Sequence, residues 1–254
     1  MIKIEDHGRV RLILLDSPPA NTLTFALLEA LGREAAAADK DDSVRVLVVA
    51  SALPKYFSPG LDLDEILSLP PAERGQMFSK IASAHRALAA CSKPTAAAMG
   101  GAALLGGFVL ALGCDWRWLS ESGKVSLSEI RLGLTPGPAL LGLACAMTGK
   151  PGLMKELVLQ GKTLKAREAL DAGLVDALLP EEGFLEAALR EAEKLAKLPP
   201  KAYASVKRSL RKVALPDEEA AWREAQAEFA GLFERPEAAE GLLAMKEKRR
   251  PRWD

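Results

Sequence analysis

The 254-residue sequence is poor in cysteine and histidine, the residues on which disulfide scaffolds and many metal sites depend. Its three cysteines are Cys91, Cys114 and Cys145, and their odd number and wide spacing predict neither a disulfide framework nor a zinc site. Its two histidines, His7 and His85, cannot furnish a three-histidine metal site, and we expect no metal. Acid–base chemistry must therefore fall mainly to carboxylates, and the free thiols favour the reducing cytoplasm.

The sequence also lacks an excess of charge of either sign. Lysine and arginine together number 34, as do aspartate and glutamate, so the formal net charge is +0. No long-range field therefore attracts a nucleic acid or an anionic membrane surface, and we expect neither as a partner. Near the N-terminus no basic stretch precedes an apolar one, so no signal peptide is predicted.

Residues 94–114 contain no charged side chain, and this run is long enough to be considered as a membrane span. Five glycines interrupt it, and paired glycines commonly mark the end of a helix or strand. These glycines are Gly100, Gly101, Gly106, Gly107 and Gly113. We therefore predict a buried strand, a glycine-rich turn and a buried helix here, and no membrane span.

Strand-like and helix-like patterns alternate in the first half of the chain, which predicts an α/β core. The predicted strands cover residues 9–15, 44–50, 95–99, 116–119 and 124–127, and the predicted helices cover 23–38, 61–69, 72–90 and 108–112. After Pro136 we predict almost only amphipathic helices, over 139–147, 153–160, 166–172, 184–195, 203–213, 218–233 and 237–248. We place the α/β core at 1–195 and a C-terminal helical region at 196–254. Because these helices cannot all cover one core, some are expected to pack on neighbouring subunits.

The most specific local feature is a pair of glycine turns, residues 57–62 and 101–107, each at the start of a predicted helix. The first N–H groups of a helix have no intrahelical acceptor, so two such ends facing one pocket can hold an oxyanion. The alternative is that both turns only cap helices. A P-loop is excluded because Gly107 and Phe108 occupy the positions of its Lys and Ser or Thr. No G-x-G-x-x-G follows the first strand, and no G-x-S-x-G elbow is present.

Motifs along nearly the whole chain occur in a characteristic order. They are N-T-L at 21–23, F-S-P-G-L-D-L at 57–63, K-P at 93–94 leading to G-G at 106–107, C-D-W-R at 114–117, S-E-I-R-L-G-L at 128–134 before Pro136, and A-x-E-A-x-x-x-G-L-V at 166–175. In this order and spacing the sequence resembles the crotonase superfamily of enoyl-CoA hydratases and isomerases. The resemblance implies a spiral of ββα units with a C-terminal helical oligomerisation region. It also implies an acyl-CoA thioester substrate, no cofactor beyond that coenzyme A, and a homotrimer or hexamer.

The resemblance assigns roles to the two glycine turns. In this family the N–H after the glycine of the first turn and an N–H of the second turn bind the thioester oxygen, which implies Leu61 and Gly106 here. Residues 59–63 would line the path of the pantetheine and adenine groups. The implied substrate-binding residues are Pro59, Gly60, Leu61, Asp62, Leu63, Gly106 and Val109.

One of the two glutamates that hydratases of the family generally carry is missing here. The resemblance places them at Val109 and Glu129, and valine takes no part in acid–base chemistry. One carboxylate suffices to isomerise a 3-enoyl-CoA, because the group that removes the α-proton can return it to C4. The resemblance therefore implies a 3,2-trans-enoyl-CoA isomerase with Glu129 as the proton shuttle, and we expect burial beside Val109 and Leu134 to raise its pKa.

Two other functions remain open. One is an enoyl-CoA hydratase or hydrolase of the same fold, in which Glu129 acts on a water held by backbone groups. The other is a CoA-thioester-binding or RNA-associated homologue that has no catalytic activity. Glu129 could also be a solvated side chain, as an isolated glutamate usually is.

Several other charged residues have a structural interpretation beside a functional one. We predict that Asp62, Asp64 and Glu65 cap and charge the first turn of a helix. His85 is predicted to be packed or partly exposed in a helix. The basic residues near the C-terminus either form a solvated tail or reach the phosphates of coenzyme A, and they are Lys246, Lys248, Arg249 and Arg250.

Overall fold

The computed structural model describes residues 1–148 and 150–253. The strands are β1 Ile2–His7, β2 Val10–Leu15, β3 Val46–Ser51, β4 Tyr56–Ser58, β5 Thr95–Met99, β6 Ala102–Leu104, β7 Trp116–Ser120, β8 Lys124–Ser126, β9 Thr163–Lys165 and β10 Ala177–Leu179. The helices are α1 Phe25–Lys40, α2 Leu63–Ser68, α3 Gly75–Ala90, α4 Gly106–Leu112, α5 Gly137–Thr148, α6 Pro151–Met154, α7 Ala166–Asp171, α8 Phe184–Ala196, α9 Pro200–Ala214, α10 Glu218–Phe233 and α11 Pro236–Lys246. Short 3₁₀ turns cover Pro71–Glu73 and Glu129–Leu132, and a π turn covers Lys155–Leu159.

Two sheets form the centre of the fold. The larger has the strand order β1-β2-β3-β5-β7-β10, with β1 antiparallel to β2 and the other pairs parallel. The smaller has the order β4-β6-β8-β9, and only its last pair is antiparallel. From β3 to β8, successive strands alternate between the two sheets, and helices follow each pair. This arrangement is the spiral of ββα units, and the predicted α/β fold is confirmed.

Within the larger sheet the strands β2, β3 and β5 are buried on both faces, as is typical of parallel strands, whereas the edge strand β1 is mostly exposed. Ile13, Leu47 and Val49 belong to the main core, which α1 and α3 help to enclose. Val48 and Ala98, on the opposite face, pack in a second cluster with α8. The continuous apolar runs of β3 and β5 therefore follow from burial on two sides, not on one.

Several sequence predictions of local structure are wrong. The strands β1, β4, β6, β9 and β10 were not predicted, and the chain after Pro136 is therefore not almost wholly helical. Four of these strands have three residues each, too few for a recognisable alternation. β1 is polar and mostly exposed, and His7 is its last residue. The predicted helix 72–90 is interrupted at Arg74, where a 3₁₀ turn precedes α3.

The C-terminal helices lie mainly on the body of their own chain. α10 packs against α3 and α5, and α11 packs against α2 and the 3₁₀ turn at Glu129–Leu132. The helical C-terminal region is thus confirmed, whereas the boundary at 195/196 stays a prediction. Among the helices within the described ranges, none is long and apolar enough to cross a membrane.

Candidate active site

Three neighbouring strands of the smaller sheet end close to the predicted catalytic residues. Leu61 comes three residues after β4, Gly106 two residues after β6 and Glu129 three residues after β8. These strands are adjacent and parallel. Because the carboxyl ends of parallel strands meet at one edge of a sheet, the repeated ββα unit brings the three residues together.

Hydrogen bonds from the N-T-L motif hold the first glycine turn. The fully buried Asn21 donates from Nδ2 to the Ser51 hydroxyl at 2.8 Å and to the Phe57 carbonyl at 3.2 Å. The Ser58 hydroxyl donates to the Asn21 carbonyl at 2.7 Å and accepts from the Gly60 N–H at 3.2 Å. Asn21 therefore fixes both the strand that enters the turn and the turn itself.

The Leu61 amide is aimed by a short parallel bridge between Leu23 and Leu61. The Leu23 N–H donates to the Gly60 carbonyl at 2.9 Å, and the Leu23 carbonyl accepts from the Asp62 N–H at 3.1 Å. Successive N–H groups of an extended segment point to opposite sides, so the Leu61 N–H points away from Leu23. Within the described residues it donates no hydrogen bond, which leaves it available to a ligand.

The second glycine turn lies directly against the first. A Cβ on Gly60, where φ is +111°, would stand 3.2 Å from the Gly106 nitrogen, and a Cβ on Gly107 would stand 2.1 Å from the Ser58 carbonyl oxygen. Gly106 is the first residue of α4, so its N–H has no intrahelical acceptor. It too donates no hydrogen bond in the part of the chain that the structure describes. Two neighbouring backbone amides are thus available to one acceptor.

Glu129 lies at the start of the 3₁₀ turn after β8 and is 7% exposed. Its Oε2 has no hydrogen-bond partner among the described residues. Burial raises the pKa of Glu129 to about 7, because an apolar environment disfavours the ionised form. The expected burial is therefore confirmed, the pKa shift has the expected direction, and the alternative of a solvated glutamate is wrong. The catalytic role of Glu129 stays a prediction.

Glu129 and both turns line one cleft, which contains about 580 Å³ of atom-free space including its open mouth. Of the implied substrate-binding residues, those that line the cleft are Pro59, Leu61, Leu63, Gly106 and Val109. Gly60 and Asp62 do not line it. Gly60 instead supports the second turn, and Asp62 caps α2 by accepting from the Glu65 N–H at 2.9 Å. The predicted helix cap is confirmed.

The cleft is completed by residues that the sequence prediction did not single out. Phe78 and Ile81 come from α3, Leu140 from α5, Phe229 from α10 and Met245 from α11. Their apolar helical spacing indicates a buried face but cannot distinguish a packed core from a pocket wall. The C-terminal region therefore helps to build the site of its own chain.

Two of the C-terminal basic residues form ion pairs with acidic side chains. Lys246 pairs with Asp64 at 2.7 Å, so α11 is tied to α2 beside the cleft. Arg249 pairs with Glu240 and Glu247. All four basic residues are exposed, as expected for a solvated segment. Contact with the phosphates of coenzyme A stays a prediction.

Comparison with known proteins agrees with this geometry. A family model described as Enoyl-CoA hydratase/isomerase matches residues 5–254. The mitochondrial methylglutaconyl-CoA hydratase of Rattus norvegicus is 33% identical over 274 residues, which cover 99% of this chain and 84% of that protein. The 2,3-dehydroadipyl-CoA hydratase of Escherichia coli (strain K12) is 34% identical over 254 residues, which cover 98% of this chain and 96% of that protein.

The fold is also shared with solved structures. Human mitochondrial delta3-delta2-enoyl-CoA isomerase superimposes with a TM-score of 0.90 at 24% identity, covering 97% of both chains. The sequence matches extend over almost the entire chain, including both glycine turns and the segment of Glu129. The chain is therefore an enzyme of the enoyl-CoA hydratase/isomerase family, within the crotonase superfamily that its motifs predict.

Proposed function

We propose that this enzyme isomerises 3-enoyl-CoA to 2-trans-enoyl-CoA with Glu129 as its single proton shuttle. The observation that carries the proposal is that Glu129 and Val109 line the same cleft. The Glu129 carboxyl is buried, and its Oε2 has no hydrogen-bond partner among the described residues. By its resemblance to the family, the chain is inferred to carry Val109 at the position of the second glutamate of hydratases. One carboxyl group therefore has to perform every proton transfer, and isomerisation is a reaction that one carboxyl can complete.

The amides of Leu61 and Gly106 stabilise the charge that develops on the substrate. The thioester oxygen accepts hydrogen bonds from both N–H groups. Removal of a proton from C2 then gives a dienolate whose negative charge rests largely on that oxygen. Oriented backbone donors suit this task because they need no reorganisation during the reaction, and one such donor is typically worth about 10²- to 10³-fold in rate.

Glu129 moves the proton between two carbons. As a carboxylate it takes the C2 proton of the 3-enoyl-CoA, and the C2–H electron pair enters the conjugated system. As a carboxylic acid it returns the proton to C4, which leaves the double bond between C2 and C3. A pKa of about 7 suits both half-reactions, since neither the acid nor the base is strongly favoured near neutrality.

Hydration is the rival function, and the names of the relatives support it. Several are called hydratases, including the rat and E. coli proteins described above. In this chain a hydratase would need backbone groups to hold the water, because the side chain of Val109 has no polar atom. A binding protein without catalysis is a second rival, and the position of Glu129 in the cleft opposes it.

A pair of substrates tests the proposal. We expect rapid conversion of 3-hexenoyl-CoA to 2-trans-hexenoyl-CoA and, with 2-trans-hexenoyl-CoA alone, hydration that is at least about 100-fold slower. Both reactions are followed by the absorbance of the conjugated thioester and by chromatography of the products. Hydration of the 2-enoyl substrate without isomerisation of the 3-enoyl substrate overturns the proposal. Acyl-CoA binding without any turnover would instead identify a binding protein.

The proposal includes a homotrimer or hexamer in the cytoplasm and no cofactor beyond the coenzyme A of the substrate. Support for an oligomer comes from α9, in which Val206, Leu210 and Val213 are 58%, 66% and 80% exposed. These residues follow the spacing of one helix face, whereas the buried Lys207 contacts Asp115 at 2.9 Å. An exposed apolar stripe of this kind fits a contact between copies of the chain. Light scattering should give three or six times 27.1 kDa.

A further inference from the structure

We propose that the acyl end of the cleft accepts an uncharged hydrocarbon chain and rejects an acyl chain that ends in a carboxylate. This inference deepens the proposed function and rests on it, because Glu129, Leu61 and Gly106 are taken to fix the thioester end of the substrate. The acyl chain must then extend into the remaining part of the same cleft. The chemistry of that part decides which chains can enter.

Apart from Glu129, the buried side chains described along the cleft are apolar. Phe78, Ile81, Val109, Leu140 and Phe229 line it, and each is at most 5% exposed. Phe78 and Phe229 stack with ring centroids 4.4 Å apart, which forms a continuous aromatic wall. Leu63 and Leu132 also line the cleft, and they are half-buried, which places them nearer its mouth. A hydrocarbon chain that passes the catalytic group therefore meets an apolar surface throughout.

Among the described residues that line the cleft, the only polar side chains belong to Glu129 and Thr135. None of the described residues that line it is a lysine, arginine or histidine, so a distal carboxylate would find no cationic partner among them. The ionised form of Glu129 would in addition repel a second negative charge. A buried carboxylate without a partner is strongly disfavoured and becomes protonated instead.

The nearby cationic groups lie outside the cleft. Arg131 and Arg249 line a separate surface groove, and the wall between the two spaces consists of Leu105, Leu132 and Met245, which contact both. Arg249 is already paired with carboxylates of its own chain, and Arg131 is exposed. A distal carboxylate in the buried end of the cleft therefore cannot use these arginines.

The cost of protonation sets the size of the expected discrimination. A carboxylic acid with a pKa of about 4.3 is neutral in about 1 molecule in 500 at pH 7. A chain that enters only in its neutral form must therefore bind about 500-fold more weakly than its hydrocarbon equivalent. Partial access of the carboxylate to water at the mouth lowers this factor, so we expect at least about 100-fold.

Binding of two unreactive ligands tests the inference without any turnover. We expect the dissociation constant of hexanedioyl-CoA, measured by titration calorimetry at pH 7, to exceed that of hexanoyl-CoA by about 100-fold or more. The two ligands have the same chain length and differ only at the distal carbon. A ratio below about tenfold overturns the inference, and a ratio above that value supports it.

Turnover of the matching substrates separates this inference from the proposed function. We expect 3-hexenoyl-CoA to be isomerised with a kcat/KM at least about 100-fold above that of 3-hexenedioyl-CoA. If neither is isomerised while the binding ratio persists, the proposed reaction fails and the inferred ligand class stands. If both are isomerised equally well, the reaction stands and the inference fails.

A lysine in the aromatic wall provides a reciprocal test. We expect Phe229→Lys to reduce the binding ratio by at least about tenfold, because the new ammonium group pairs with the distal carboxylate. Phe229→Leu is the matched control and should leave the ratio within about threefold of the wild-type value. An unchanged ratio in a folded Phe229→Lys protein contradicts the inference. If Phe229→Lys does not fold, the wild-type ratio decides the question.

Discussion

Glu129 and His85 are two buried titratable side chains near α4, and they differ in their surroundings. Glu129 lines the cleft together with Val109. His85 is fully buried and is not among the residues described along that cleft; its Nδ1–H donates to the Val109 carbonyl at 2.8 Å, and its ring centroid lies 5.1 Å from that of Trp222. Each has one polar atom without a hydrogen-bond partner among the described residues, Oε2 in Glu129 and Nε2 in His85.

Burial acts on both groups in the same way, since it favours the uncharged form of each. It raises the pKa of Glu129 to about 7 and lowers the pKa of His85 to about 4. Glu129 is therefore balanced between acid and base near neutrality, whereas His85 is neutral there and enclosed by packing. A perturbed pKa indicates a catalytic group only when the unpartnered atom also faces a space that a substrate can enter.

The largest expected effect is on isomerase activity, which should depend on Glu129 and not on His85. We expect Glu129→Gln to lower isomerase kcat by at least about 10³-fold, because it removes the group that carries the proton and leaves the cleft otherwise unchanged. The affinity for hexanoyl-CoA should stay near the wild-type value. His85→Asn is the control, because asparagine can keep the hydrogen bond to the Val109 carbonyl, and it should retain activity within about threefold. Substantial activity in the Glu129→Gln protein would remove Glu129 from the mechanism.

Stability should respond to pH with opposite signs at the two sites. The folded-state pKa of Glu129 lies above its unfolded value. Burial of the carboxyl therefore does not lower the free energy of unfolding at low pH, where the group is protonated in both states, and lowers it most above pH 7. Glu129→Gln should therefore be more stable than the wild type at pH 8, by up to about 3 kcal/mol, and this gain should disappear near pH 4. Urea unfolding at several pH values measures it. A gain that does not change with pH contradicts the assignment.

For His85 the folded-state pKa is lowered. Burial of the imidazole therefore does not lower the free energy of unfolding above pH 6.5, where the ring is neutral in both states, and lowers it increasingly as the pH falls towards 4. His85→Asn should lose less stability than the wild type over that range, by up to about 3 kcal/mol. The two proteins are compared by how much the free energy of unfolding of each changes between pH 6.5 and pH 4. The packing against Trp222 that His85→Asn loses is the same at every pH, so it does not affect this comparison. Equal acid sensitivity of the two proteins contradicts this expectation.

A smaller effect is expected when the first glycine turn is altered. Gly60→Ala places a Cβ 3.2 Å from the Gly106 nitrogen at a φ of +111°, so the added methyl group strains the first turn and presses on the Gly106 amide. We expect kcat/KM to fall by about 10²-fold, the usual consequence of losing one oxyanion donor. The matched control is Gly231→Ala in α10, where an added Cβ meets nothing within 4 Å. Equal effects of the two substitutions would indicate a general loss of stability, not a displaced donor.

The smallest effect is the pH dependence of the rate itself. If Glu129 must be ionised in the free enzyme, kcat/KM rises about tenfold per pH unit on the acid side and levels off above a midpoint near pH 7. His85→Asn should keep the same midpoint, because His85 does not ionise in that range. A midpoint near the ordinary glutamate value of 4.5 would show that the active carboxyl is solvated in solution.

The short-range features of the site could be predicted from the sequence. Asp62 is the N-cap of α2 as expected, and α4 begins within the second glycine turn. Both depend on neighbouring residues, since a cap accepts from an N–H three residues later and a close backbone approach requires glycine. The strands β4 and β6 were not predicted, because three residues carry too little pattern and their pairing partners lie far away in the chain.

The cleft itself could not be predicted in this way. Phe229 and Met245 contact the same space as Leu61 although more than 160 residues separate them from it in the sequence. Their spacing indicates only that one side of a helix is buried. Whether that side meets a packed core or an open pocket depends on how α10 and α11 return across α3 and α2.

The identities of the residues in the glycine turns, of Glu129 and of Val109 are given directly by the sequence. Local chemistry limits which residues can cap, turn or carry a proton, so these features follow from the chain read in order. Folding in three dimensions set the burial of Glu129, its raised pKa and the apolar wall beyond it, because desolvation is produced by all the atoms around a group. Those atoms come from segments that become neighbours only when the two sheets and the C-terminal helices pack together.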